Sequence, residues 1–109
     1  MNEADFPVEF NNEVDEVKES ENKYYAQAVD RLKQLTEGHH DIIGGAVNLK
    51  LPSKGHQTAY MYEVKIVVHM GAEHIVATEQ GKQIQSTLDH ALDAIERQVH
   101  EHREKQRNY

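Results

Sequence analysis

Between residues 60 and 69 the chain alternates with a period of two. Tyr60, Tyr62, Val64, Ile66 and Val68 fall on one side, and Met61, Glu63, Lys65, Val67 and His69 on the other. This is the pattern of a strand with one buried face and one wet face. Gly71 follows at the place of a tight turn, and His74-Ile75-Val76-Ala77-Thr78 returns as the second strand of a hairpin. A sheet that is apolar on one side needs a cover. After Gly81 the residues Ile84, Leu88, Ala91, Leu92, Ile95 and Val99 recur at helical spacing, so a long helix presents one apolar stripe to that face.

The upstream half repeats the logic. Phe6, Val8 and Phe10 alternate with Pro7, Glu9 and Asn11, and Pro7, which has no N–H to donate, places this strand at a sheet edge. The acidic run from Asn11 to Glu19 reads as a loop. Ser20 stands as an N-cap, Tyr24, Ala28, Val29, Leu32 and Leu35 form a helical stripe, and Gly38 ends the turn before the loop His39-His40-Asp41. Val47, Leu49 and Leu51 then face inward against Asn48 and Lys50 in a strand that stops at Pro52, and PSKGHQ is a turn by composition. The predicted class is α+β, in the order β-α-β-β-β-α, with two helices packed on one face of a four-stranded sheet, as in a double-stranded-RNA-binding domain. Its 109 residues suit one domain over 1–109, with 1–5 flexible.

Several chemistries are excluded early. The chain has no cysteine, which removes disulfides and thiolate catalysis. No apolar run approaches the roughly 18 residues of a spanning helix, and the acidic start lacks the charged and apolar regions of a signal peptide. A cytoplasmic protein is expected. Ser20, Ser53 and Ser86 lie in no nucleophile elbow, and Gly44-Gly45 lacks the length of a phosphate-cradling loop. No enzyme is read here. His69 and His74 point to the same face across the hairpin turn, but two imidazoles fall short of the usual three or four ligands. No metal and no cofactor are expected.

Charge is unevenly placed. The formal net charge is −7, yet residues 1–21 hold eight acids against Lys18 alone, so the rest of the chain balances to zero. From Arg97 onward Arg97, Arg103, Lys105 and Arg107 outnumber Glu101 and Glu104. At 100° per residue Arg97, His100 and Arg107 share one ridge of the last helix, with Arg103 on its flank. Asp93–Arg97 and Glu101–Lys105 are i,i+4 pairs in the favourable order, and cations near a helix C-terminus complement its dipole. Arg103 and Arg107 are like charges at i,i+4, which repel unless an anion lies between them. Arg31, Lys33 and Lys82 can join the same surface. The residues by themselves leave two readings open, a solvated ridge and a phosphate-binding one.

The carboxyl-terminal third carries a family resemblance. Glu79-Gln80-Gly81, an amphipathic helix with Leu88-Asp89, then Ile95-Glu96-Arg97-Gln98-Val99 and His102-Arg103-Glu104-Lys105 resemble the closing helix of the ribosome hibernation-promoting factors and ribosome-associated inhibitor A. Tyr62-Glu63-Val64 is similar to that family's third strand, and Val29-Asp30-Arg31-Leu32 falls where its first helix has an aromatic, a basic residue and a leucine. The resemblance implies a short-form translation inhibitor that binds small-subunit ribosomal RNA in the decoding channel and blocks messenger and transfer RNA. Its implied partners are the small ribosomal subunit and its RNA, with no membrane and no DNA. Arg31, Lys82, Arg97, Arg103, Lys105 and Arg107 are the expected RNA contacts. The chain departs from the family in its acidic total and in Ala28, where the first helix often has lysine. The alternative on the same fold is a protein-interaction module or homodimer without an RNA role, using an exposed edge such as the first strand.

Overall fold

The structure, a computed structural model, describes residues 6–51 and 61–107, the side chains of 106 and 107 excepted. Its elements are β1 (Val8–Asn12), a short 3₁₀ turn (Asp15–Val17), α1 (Glu21–Leu35), β2 (Gly44–Lys50), β3 (Tyr62–Met70), β4 (Glu73–Gly81) and α2 (Ile84–Arg107). The strands lie in the order β1-β2-β3-β4. β1 runs parallel to β2, joined through α1, and the other two pairings are antiparallel. This is the expected α+β arrangement.

The alternation predicted for β3 holds from Val64 to Val68: Val64, Ile66 and Val68 are fully buried, while Lys65 is exposed and Val67 half-buried. Tyr60 and the turn predicted over PSKGHQ lie outside the described residues, as does the expectation for 1–5. The hairpin pairs Met70 with Glu73 across two residues, and Gly71 takes φ +62. Glycine at the first central position of a two-residue loop is the requirement of a type II′ turn, whose twist suits the flanking strands.

Both helices lay their stripes on the same side of the sheet. Leu32 of α1 and Leu88, Ala91, Leu92, Ile95 and Val99 of α2 are fully buried with Val47 and Leu49 of β2 and the inward residues of β3. The entry to α2 is close-packed. A Cβ added at Gly81 would collide with the Thr87 hydroxyl oxygen, and that hydroxyl donates to the Gln83 carbonyl at 2.6 Å. Glycine at 81 therefore allows β4 to pass directly into the helix.

Three local expectations are corrected. The segment from Asn11 to Glu19 is no simple loop: Asn11 and Asn12 extend β1, and the 3₁₀ turn buries Val14 and Val17. Residues three apart eclipse in a 3₁₀ turn, so both valines reach the core while the acids around them stay wet. Ser20 occupies the N-cap position of α1, but its side chain makes no capping bond. Its carbonyl accepts from the Lys23 and Tyr24 amides instead. β4 runs from Glu73 to Gly81, beyond the apolar run 74–78, because edge positions tolerate Glu79 and Gln80.

Candidate nucleic-acid interface

A polar seam runs between the two helices. At its start Gln27 donates to Asp89 at 2.6 Å, while Gln85 donates to both Gln27 and Asp89. One turn further, Arg31 of α1 donates through Nε to Glu96 at 2.8 Å and through Nη2 to Asp93 at 2.7 Å. The bond to Glu96, opposed by partial burial and aided by Asp93, raises the Arg31 pKa above its ordinary value. At the far end Arg103 of α2 grips both oxygens of Asp41 at 2.8 Å, and its Nη2 also donates to the Leu35 carbonyl at the C-terminus of α1. That guanidinium holds the Asp41 carboxyl below its usual range. Bidentate, charge-assisted contacts of this kind fix orientation as well as adding energy.

The six expected RNA contacts therefore divide. Arg31 and Arg103 are drawn into intramolecular ion pairs that clip α2 to α1 and to the loop after α1. Lys82, between β4 and α2, is exposed, as are Arg97 and Lys105. Arg107 lies in the last turn of α2, with its side chain outside the described residues. The described side chains among them do not form one patch. Helical geometry puts Lys105 about 160° around α2 from Arg103.

The anion that the like-charged Arg103 and Arg107 call for is, at Arg103, Asp41 of the same chain. Asp93 is engaged by Arg31, and neither Asp93–Arg97 nor Glu101–Lys105 is among the described ion pairs. Sequence reasoning missed the acidic row Asp89, Asp93 and Glu96 as the partner of α1. Its spacing of four and three was visible, but its pairing with residues some sixty positions away was not.

The open face of the sheet carries the side chains expected of it. Asn11 donates to Asn48 and Gln80 to Glu63, both at 2.9 Å. His69 and His74 meet edge to face, with ring centroids 4.3 Å apart. Ala46, Val67 and Val76 form an apolar row between the polar rows. Among the described residues no group of three or more His, Cys, Asp or Glu is placed to hold a metal ion, and no helix is long and apolar enough to cross a membrane.

Comparison with known proteins gives a consistent result. Residues 10–107 match the Ribosomal_S30AE family model, described as sigma 54 modulation protein / S30EA ribosomal protein. The fold is similar to that of a ribosomal subunit interface protein from Coxiella burnetii, with a TM-score of 0.68 at 12% identity, covering 90% of this chain and 98% of that one. It is also similar to the N-terminal domain of Protein Y from Thermus thermophilus, with a TM-score of 0.60 at 18% identity over 89% and 94% of the two chains. No curated protein gives a significant match.

Proposed function

The chain belongs to the sigma 54 modulation protein / S30EA ribosomal protein family, and from that membership we propose that it binds small-subunit ribosomal RNA in the decoding channel and blocks messenger and transfer RNA there. Proteins of this family are ribosome-binding factors without enzymatic activity, so inhibition rests on occupation of a site. The observation that carries the proposal is the family match over residues 10–107, nearly the whole chain.

In this reading the cations divide the labour. Lys82, Arg97, Lys105 and Arg107 make phosphate contacts. Arg31 and Arg103 hold the helix pair in register and add to the field from where they stand. In both, Nη1 takes part in none of the described hydrogen bonds, and a guanidinium has donors enough to serve a carboxylate and a phosphate together. Double-helical RNA is recognised by shape and backbone, so a rigid helix pair with spaced cations suffices without base-reading side chains.

The test is cosedimentation with purified small ribosomal subunits. Wild-type chain pellets with the subunits, and Lys82→Glu/Arg97→Glu stays in the supernatant with its thermal melt unchanged. A wild-type chain that never pellets contradicts the function. A double variant that pellets as well as wild type contradicts the assignment of these two cations.

A further inference from the structure

The two edges of the sheet are built differently. β1 spans five residues, follows Pro7 and is rich in asparagine. Short length and proline are the usual means of blunting an edge against pairing. β4 spans nine residues, Glu73–Gly81, and pairs with β3 in unbroken register with no bulge. It contains no proline and no lysine. Among the described residues no other strand lies beyond it.

The hairpin fixes which main-chain groups β4 turns outward. Met70 and Glu73 flank the two-residue turn and form its hydrogen-bonded pair. Bonded and non-bonded pairs then alternate, so His69–His74, Val67–Val76, Lys65–Thr78 and Glu63–Gln80 are the non-bonded ones. Side chains approach more closely in such pairs, in keeping with the 4.3 Å between the two imidazoles. His74, Val76, Thr78 and Gln80 consequently direct their N–H and C=O groups away from β3.

We propose that this edge is a self-association surface, on which β4 of a second copy pairs antiparallel about a two-fold axis at Ala77 to form one continuous eight-stranded sheet. In that register His74 stands opposite Gln80 of the second copy and Val76 opposite Thr78. All the outward groups are then satisfied, by about eight main-chain hydrogen bonds. The side chains are self-complementary. Glu73 meets Gly81, Glu79 meets Ile75 and Ala77 meets its own copy, so no two like charges stand directly opposite. Shifting the two-fold to Val76 would set Glu73 against Glu79 and is disfavoured. Val76, 41% exposed in the single chain, becomes the diagonal neighbour of its own counterpart beside the axis. Glu73 is already turned to His102 of its own α2, 3.1 Å away. An isologous contact of this kind closes at two copies and leaves only the blunted β1 edges outside.

One strand pair is a small interface, below about 1,200 Å² in total, so the dimer is weak and concentration-dependent. Sedimentation velocity of the full chain from about 10 µM to about 1 mM tests it. The expected result is a mass rising from 12.5 kDa toward twice that value. Thr78→Pro removes an outward N–H where an edge strand tolerates proline, and Val76→Lys sets two cations beside the axis. Both variants remain monomeric, whereas Glu9→Lys on the β1 edge dimerises like wild type. If Thr78→Pro fails to fold, Val76→Lys alone decides, since it keeps every main-chain donor. A monomer throughout the range, or a dimer that persists in Val76→Lys, overturns the proposal. Neither measurement involves ribosomes, so its failure is distinct from a failure of the RNA-binding reading.

Discussion

Arg103 is a residue whose charge was legible in the sequence and whose ion pair with Asp41 was not. Its side chain is 11% exposed and its partner Asp41 side chain 37% exposed, so solvent screens the pair mainly from the Asp41 side. A charge-assisted hydrogen bond is worth roughly 1.5–3 kcal/mol, and partial exposure of Asp41 lowers this, so Arg103→Ala is expected to cost about 1–2 kcal/mol in urea unfolding. The pH dependence follows from the depressed Asp41 pKa. A lowered folded-state pKa means stability that is present above the unfolded value of 3.8 and is lost as pH falls through the folded one. The difference in unfolding midpoint between wild type and Asp41→Asn is therefore constant from about pH 7 to 5 and closes below about pH 4. A difference that widens in acid contradicts the assignment. Gly81 makes a second residue-scale prediction. Gly81→Ala pushes a methyl into the buried Thr87 hydroxyl and costs about 1–3 kcal/mol, as overpacking does elsewhere. A melting temperature equal to wild type would contradict the close approach.

At the scale of elements, legibility followed periodicity. β3 and α2 were read from alternation and from the stripe Ile84 to Val99, because burial on one face imposes those periods directly. Leu92, fully buried within the stripe, is expected to cost about 2–5 kcal/mol on truncation to alanine. A loss below about 0.5 kcal/mol would show that α2 does not carry the core. The 3₁₀ turn was missed because Val14 and Val17 are two apolar residues among acids, too few for a period to show. The turn is nonetheless tied to the sheet, since the Tyr62 hydroxyl donates to Glu16 at 2.9 Å. The seam between α1 and α2 was missed for a different reason. Its members are polar, and polar pairing between distant segments leaves no periodic trace in a single chain.

For the whole molecule the relevant quantity is the distribution of charge. A net charge of −7 disfavours a polyanion at long range, while contacts within about 8–10 Å are set by local cations. The described part of the acidic segment is packed against the fold through Val14 and Val17, and part of the helical cation set is neutralised internally by Asp41, Asp93 and Glu96. On the proposed function, binding to ribosomal RNA would rest on few phosphate contacts, which makes ionic strength the most direct probe. The decisive measurement is the affinity of the chain for purified small ribosomal subunits across a salt series. With about four phosphates neutralised, log K falls against log salt with a slope of roughly −3 to −4. A slope near zero, or no binding at the lowest salt, would contradict the account.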